Sequence, residues 1–217
     1  WRGGEVYWQL EKNGYLTHYA SGTGWEMMRK IQALTLKAPD GNAATVKNFE
    51  ATFTVHDEKK AEGAVLLSFR NDKQNLISRY GNTIYNNQQL LAIGYDGNGN
   101  AGMNLGGNAA QFDGTYDAFK TSLDALKGIT DYKVYVKALN DSVIVKITST
   151  DDATVYYDNS SAPHKAVRQD AGYMMIGVSN STKSLVDFTV TELDDAGKPI
   201  DFGTNTGKGG AFEFSVS

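Results

Sequence analysis

A chain of 217 residues with no cysteine and a net charge of −4 excludes several classes of protein. Disulfides and thiolate metal sites need cysteine, and a general nucleic-acid binder needs a basic stripe to neutralise phosphates. No apolar run approaches the ~20 residues of a membrane-spanning helix. We therefore expect no nucleic-acid or membrane partner, and a chain of this length can bury its core as one domain, residues 1–217.

The first half of the chain consists of short runs in which apolar and polar residues alternate, a pattern typical of half-buried β-strands. A turn at Glu11–Gly14 separates the first two runs, and Trp8 is expected in the core. The run at 63–70 is almost continuously apolar, which favours a strand buried on both faces. The predicted strands are residues 5–10, 15–19, 25–29, 31–36, 45–55, 63–70 and, within the polar segment 71–89, residues 83–85.

The second half contains the clearest pattern, three consecutive strands over residues 131–158. Asn140 and Asp141 suit a two-residue hairpin turn, since both residue types tolerate positive φ. One helix is predicted at Asp117–Lys127, because Phe119, Leu123 and Leu126 recur at helical spacing. Further strands are predicted at residues 90–95, 102–105, 172–178 and 184–193, followed by an alternating run at 212–216.

About a dozen short strands separated by tight turns predict an all-β fold with at most one short helix. Alternation on most of the strands favours two antiparallel sheets packed face to face as a β-sandwich. The residues expected in the core are Phe49, Phe53, Val134, Val136, Val143, Val145, Phe188 and Val190.

Four stretches carry a resemblance to a known family: residues 48–55, 63–71, 132–147 and 172–193. Their order resembles that of concanavalin A-like, laminin-G-like jelly rolls, and is most similar to the modules of bacterial glycosidases that bind fructans. The resemblance covers about residues 5–195, with 196–217 as a C-terminal loop and strand. It implies a secreted or cell-surface protein, further domains in the same parent protein, and a glycan ligand bound on one concave sheet and its loops.

Catalytic patterns are absent from the sequence. Laminarinase-type glycosidases resemble this family but carry a Glu-x-Asp-x-x-Glu strand, which does not occur here. The nearest acidic cluster, residues 192–195, is expected to be solvated. His18, His56 and His164 lack metal-ligand spacing and are expected at the surface. We therefore expect a domain without enzymatic activity.

Arg70 is the sharpest candidate for ligand binding, because it ends an apolar strand and a buried guanidinium needs an acid or a ligand. Glu50 is its candidate partner, and both fall where the fructan-binding modules that the chain resembles place an acid and an arginine. A salt bridge without ligand binding is the alternative. The other candidate sugar contacts are Asp72, Tyr80, Tyr85 and Tyr95 in the polar-aromatic segment, and Trp25 after a Gly-rich loop.

The resemblance also implies that a structural calcium ion is compatible with the fold, although no cofactor is required. Asp96, Asn98, Asn100 or Asp187 could supply oxygen ligands. The leading hypothesis is a non-catalytic carbohydrate-binding module of a secreted or cell-surface bacterial glycan-degrading protein. A glycoside-active enzyme of the same fold and an adhesion or packing module are the alternatives.

Overall fold

A computed structural model describes residues 6–20, 32–58, 63–74, 88–95, 101–106, 120–122, 124–166, 168–178 and 181–200, together with Phe212 and Phe214. The strands in these residues are, in chain order, β1 (Val6–Leu10), β2 (Leu16–Ala20), β3 (Leu34–Thr35), β4 (Thr45–Val46), β5 (Asn48–His56), β6 (Gly63–Asn71), β7 (Gln89–Tyr95), β8 (Ala101–Gly106), β9 (Lys120–Ser122), β10 (Asp131–Leu139), β11 (Ser142–Thr148), β12 (Val155–Asp158), β13 (His164–Lys165), β14 (Gly172–Val178) and β15 (Lys183–Leu193).

The described strands form two antiparallel sheets. The first sheet has the order β1-β2-β15-β5-β10-β11-β12, with β13 also paired to β11. The second sheet has the order β3-β14-β6-β7-β8-β9, with β4 also paired to β14. Strands from distant parts of the chain are neighbours in both sheets, as β15 and β5 are in the first. The predicted two-sheet, antiparallel β-sandwich is confirmed.

The predicted meander over residues 131–158 is confirmed as β10, β11 and β12. Asn140 and Asp141 alone connect β10 to β11, and Asn140 has a φ of 53°. This left-handed conformation is the one that a tight hairpin turn requires, and asparagine adopts it more readily than most residues. The sequence therefore fixes the register of the sheet at its centre.

The core lies between the two sheets and contains most of the apolar residues predicted from alternation. Seven of the eight expected core residues are buried: Phe49, Phe53, Val134, Val136, Val143, Val145 and Val190. Trp8 is also buried, as expected, and its indole Nε1 donates a hydrogen bond to the Gln32 carbonyl oxygen at 2.6 Å. Strand β6 is buried on both faces over Val65–Asn71, as its continuous apolar run predicted.

Phe188 is the exception, because it is only half-buried. The pairing of β15 with β5 shifts between Val186 and Thr189, and Asp187 has a φ of 53°. Two residues, Asp187 and Phe188, therefore face one residue of β5, which defines a β-bulge. The Phe188 ring stacks on Phe53 at 4.8 Å between centroids, at the margin of the core rather than inside it.

The helix predicted at Asp117–Lys127 is wrong. Within that range the structure places β9 and a single 3₁₀ turn at Asp124–Leu126. The helical spacing of three apolar residues is too short a pattern to outweigh pairing with β8. No helix in the described residues is long and apolar enough to span a membrane.

Three smaller predictions also need correction. His18 is fully buried instead of lying at the surface, and residues 159–170, for which no strand was predicted, contain β13. Phe212 and Phe214 pack against the sandwich but are not in a strand. The strands predicted at 25–29 and 83–85 lie outside the described residues.

Truncating Phe53 tests the assignment of the core. Its ring is 1% exposed, so Phe53→Ala should lower the free energy of unfolding by ~3–5 kcal/mol through lost burial and a new cavity. Chemical denaturation measures this change. Val155→Ala is the control, since Val155 is 60% exposed and its truncation should change stability by less than ~0.5 kcal/mol. A loss below about 1 kcal/mol for Phe53→Ala would contradict the assignment.

Candidate functional site

Arg70 is fully buried, and main-chain carbonyl groups take most of its hydrogen bonds. Its Nε donates to the Lys47 oxygen at 2.8 Å, and its Nη1 donates to the oxygens of Asn140 and Arg168 at 2.7 Å each. Its Nη2 donates to Asn48 Oδ1 at 3.3 Å. Burial lowers the pKa of Arg70 to about 10. These bonds join two loops and the start of β5 to the end of β6.

A β-bulge aims the Arg70 side chain into the protein. The register of β6 with β14 shifts between Tyr173 and Met175, and Arg70 has a φ of 51°. The backbone is crowded at this point, since a Cβ on Gly172 would lie 2.4 Å from the carbonyl carbon of Arg70. Glycine at 172 thus allows the two strands to approach each other where the bulge forms.

The expected pairing of Glu50 with Arg70 is wrong. The two residues lie in different sheets, because β5 belongs to the first sheet and β6 to the second. Glu50 accepts a hydrogen bond from the Tyr135 hydroxyl at 2.9 Å and lies 3.7 Å from the Lys137 ammonium. Burial, followed by the bond to Glu50, raises the pKa of Tyr135 to about 12. Glu50 therefore belongs to a polar network on the outer face of the first sheet.

The remaining predicted contacts are not brought together in the described residues. Asp72 is exposed just after β6, and Tyr95 ends β7 in the same sheet. Trp25, Tyr80 and Tyr85 lie outside the described residues. A sugar contact by these side chains stays a prediction. Arg70 has a structural role instead, because its guanidinium donates hydrogen bonds to groups inside the protein.

A different set of side chains surrounds a concavity of about 1250 Å³ on the first sheet. We call it the tyrosine trough; six of its lining residues define it here: Tyr7, Glu11, Tyr15 and Tyr19 from the hairpin of β1 and β2, and His56 and Ser184 from β5 and β15.

Aromatic rings form the walls of the tyrosine trough. Tyr7 and Tyr19 are directly opposed on β1 and β2, and their rings stack at 5.1 Å between centroids. The Tyr15 ring lies 5.4 Å from the His56 ring between centroids. Tyr7 is 42% exposed, so its ring is accessible to a ligand. The trough therefore offers both apolar ring surface and phenolic hydroxyls.

Polar groups form the floor and one end of the trough. The hydroxyls of Thr17 and Ser184 are 2.8 Å apart across β2 and β15. The Tyr19 hydroxyl donates to Glu11 Oε1, and Gln9 Nε2 donates to Glu11 Oε2 at 3.4 Å. The bond to Glu11 raises the pKa of Tyr19, so the phenol remains a donor at neutral pH. The oriented carboxylate keeps lone pairs for further donors.

The charges that line the trough balance. Glu11 and Glu58 line it together with Lys12 and Lys183. His56 Nδ1 lies 2.7 Å from Asp131 Oδ1, which adds a carboxylate behind the imidazole. Such a surface has no excess of positive charge for a polyanion, and its carboxylates and hydroxyls suit uncharged, hydroxyl-rich molecules as ligands.

A buried polar cluster lies on the other face of β2 and β15, next to the trough. The Lys183 ammonium and Asp57 Oδ2 form an ion pair at 2.5 Å. His18, the cross-strand partner of Lys183, has its Nδ1 2.9 Å from the Ser181 carbonyl oxygen. The buried side-chain atoms of the described residues that lack a hydrogen-bond partner are His18 Nε2, Asp57 Oδ1 and Ser181 Oγ.

Sequence reasoning missed this region, although the signal is present. Tyr7, Tyr15 and Tyr19 occupy odd positions on either side of a tight turn. Odd positions of both strands face the same side when the hairpin pairs Tyr7 with Tyr19. The register of the hairpin therefore predicts a face with three tyrosines, but it does not predict that this face is concave.

Two carboxylates of the acidic cluster at 192–195 form hydrogen bonds that stabilise the structure. Asp194 Oδ1 accepts from the amides of Ala196 and Lys198, which closes the turn after β15. Asp195 Oδ1 lies 3.0 Å from both Lys47 Nζ and Asn48 Nδ2. These bonds lower the pKa of Asp195.

The calcium prediction concerns residues that are mostly outside the described part of the chain. Asp187 is exposed at the bulge of β15, whereas Asp96, Asn98 and Asn100 are not described. The described residues contain no group of three or more His, Asp or Glu side chains positioned to hold a metal ion. A structural calcium stays a prediction.

Comparisons with known proteins identify the fold. No protein-family model and no curated protein sequence matches the chain. A legume lectin-like domain from Entamoeba histolytica has a TM-score of 0.56 at 13% identity, covering 88% of this chain and 90% of that chain. A Bacillus subtilis protein of unknown function with a galectin-like fold has a TM-score of 0.52 at 13% identity, with 87% of each chain covered.

The exoplasmic/lumenal domain of VIP36, in its form bound to Ca²⁺ and Man3GlcNAc, is also similar. Its TM-score is 0.54 at 11% identity, covering 88% of this chain and 84% of that chain. Identities this low establish the fold alone, which is the legume-lectin-like, concanavalin A-like jelly roll that the sequence predicted. An origin in a bacterial glycosidase and a fructan ligand stay predictions.

The structural role of Arg70 is testable by conservative substitution. Arg70→Lys should lower the free energy of unfolding by about 3 kcal/mol, because one ammonium cannot reach three carbonyl oxygens and each charge-assisted hydrogen bond contributes ~1.5–3 kcal/mol. Chemical denaturation measures the loss. Arg168→Lys should cost less, since the Arg168 side chain is 20% exposed. Equal stability of Arg70→Lys and the parent would contradict this role.

Proposed function

We propose that this chain is a carbohydrate-binding domain and that an uncharged glycan binds in the tyrosine trough. The observation that carries the proposal is the combination of stacked, accessible tyrosine rings with hydroxyl and carboxylate groups in one concavity. A sugar ring presents apolar C–H groups on its faces and hydroxyls at its edge. Aromatic walls suit the faces, and fixed polar groups suit the hydroxyls.

The size and charge of the trough support an oligosaccharide. A volume of about 1250 Å³ exceeds the ~300–1,000 Å³ of typical small-molecule pockets, so it has room for more than one sugar ring. Its lining has no excess of positive charge to attract carboxylated or sulfated glycans, since Lys12 and Lys183 accompany Glu11 and Glu58. A neutral glycan needs no such attraction, and its hydroxyls can donate to the carboxylates.

We further propose that the domain is non-catalytic and belongs to a secreted or cell-surface bacterial protein that degrades glycans. The absence of the Glu-x-Asp-x-x-Glu pattern from the sequence supports the first part, because glycoside hydrolysis normally needs a pair of positioned carboxyl groups. The resemblance to modules of bacterial glycosidases supports the second part. The fold supports sugar binding in general, since VIP36 was found with Man3GlcNAc.

A glycan array followed by tyrosine substitutions tests the binding proposal. The array should yield neutral oligosaccharides, and Tyr7→Ala should weaken the best of them by about tenfold, as expected for an aromatic anchor. Isothermal calorimetry measures the affinity. Tyr135→Ala is the matched control, because Tyr135 lies on β10 of the same sheet, outside the trough, beside Glu50.

Two results would contradict the proposal. One is that no neutral glycan binds the folded protein. The other is that Tyr135→Ala or Glu50→Gln removes binding while Tyr7→Ala leaves it intact, which would place the ligand at the Glu50 network instead.

Enzymatic activity is tested separately. We expect no release of reducing sugar when the purified domain is incubated with the glycans it binds, since the sequence lacks the strand pattern that presents a paired acid and nucleophile in glycosidases of this fold. A reducing-end assay over hours measures this. Turnover that disappears on Glu11→Gln or Glu192→Gln would show that the domain is an enzyme.

A further inference from the structure

The hairpin of β1 and β2 carries most of the tyrosine trough but is joined to the sandwich along a short seam. In the described residues, β2 pairs with β15 through only three residue pairs: His18 with Lys183, Thr17 with Ser184, and Leu16 with Leu185. The Ala20 amide adds a hydrogen bond to Thr182 Oγ1 at 3.1 Å. Movement of this seam would displace Tyr7, Glu11, Tyr15 and Tyr19 together.

His18 lies at the centre of the seam and must be neutral there. The Ser181 carbonyl can only accept, so His18 Nδ1 is the protonated nitrogen and Nε2 carries a lone pair. Nε2 has no hydrogen-bond partner in the described structure. A proton added to Nε2 would therefore create a fully buried cation whose new donor has no acceptor, which is a costly arrangement.

The groups around His18 do not offset this cost. Lys183 on β15 already places one ammonium in the cluster, and Asp57 after β5 is paired with it through Oδ2. The other Asp57 oxygen, Oδ1, is buried without a partner among the described residues and is not hydrogen-bonded to His18 Nε2 in the docked hairpin. Tyr132 on β10 is buried, and burial together with the charge of Asp57 raises its pKa, so it stays neutral. Trp8 on β1 meets the His18 ring edge-on at 5.1 Å and carries no charge. A protonated His18 would give the cluster a net positive charge.

We propose that His18 is an acid-sensitive latch, which holds the hairpin of β1 and β2 in place at neutral pH and releases it, with any glycan bound in the trough, as the pH falls below about 6.5. The latch itself rests on the geometry of the seam. Only the release of glycan rests on the proposed function.

The direction of the pH effect follows from linkage. Burial lowers the pKa of His18 in the docked hairpin, against a smaller opposing effect of the bond to Ser181. In the released hairpin the imidazole is solvated and takes up a proton near its ordinary pKa of about 6.5. The released state therefore binds more protons, so docking is favoured above that pH and weakens as the pH falls.

Amide hydrogen exchange of the hairpin tests the latch without any ligand. Protection of residues 6–20, corrected for the chemical exchange rate, should fall about tenfold between pH 7.5 and 5.5, while residues 134–138 in β10 serve as the internal reference. His18→Gln should remove this pH dependence, since its amide can still donate to the Ser181 oxygen but does not titrate. His164→Gln is the matched control and should behave as the parent does, because His164 is half-buried on β13.

The latch is overturned if protection of the parent hairpin does not change with pH, or if His18→Gln shows the same loss as the parent. Should His18→Gln fail to fold, the ring pKa of His18 in the parent, read by NMR, decides instead; a value of 6.5 or above overturns the proposal. A parallel calorimetric titration with the array glycan at both pH values tests release. Loss of hairpin protection without any glycan affinity at pH 7.5 would uphold the latch and reject the proposed ligand.

Discussion

The guanidinium of Arg70 is the interaction on which one end of the sandwich depends. It is the largest fully buried side chain in the described residues, and its donors meet the carbonyl oxygens of Lys47, Asn140 and Arg168. These acceptors belong to the start of β5, the β10–β11 turn and the segment before β14. A buried cation is tolerated here because oriented carbonyl dipoles replace its hydration. Arg70 thereby aligns loops from both sheets.

Alternation in the sequence predicted the part of the fold that depends on period 2. The meander around Asn140, the burial of Phe53 and Val136, and the two-sheet arrangement all follow from which residues share a face. Bulges do not follow from alternation, because one extra residue leaves the pattern almost unchanged. The bulges at Arg70 and Asp187 explain why the Arg70 guanidinium points inward and why Phe188 is only half-buried.

The candidate site was harder to predict than the fold for a related reason. Adjacency in sequence placed Glu50 beside Arg70, but the two strands enter different sheets, so only the topology shows that they are apart. The tyrosine trough depends on β15 returning to pair with β2, a contact between residues more than 160 positions apart. Local patterns carry no information about such a long-range pairing.

The position of the trough connects ligand binding with stability. Most of its aromatic residues belong to the hairpin of β1 and β2, and β2 also buries His18 next to the Lys183–Asp57 ion pair. Polar groups without partners are costly in a core, and here they lie in the seam that holds the hairpin. Binding and docking of the hairpin are therefore expected to favour each other, as any ligand that prefers the docked state must stabilise it.

The most direct measurement is amide chemical-shift mapping by NMR during titration with a neutral oligosaccharide at pH 7.5. We predict that the largest shifts fall in the hairpin of β1 and β2, at His56 and in residues 182–184, the segments whose side chains line the tyrosine trough. Shifts confined to Asp72 and the neighbouring ends of the second sheet, with the hairpin of β1 and β2 unchanged, would contradict it.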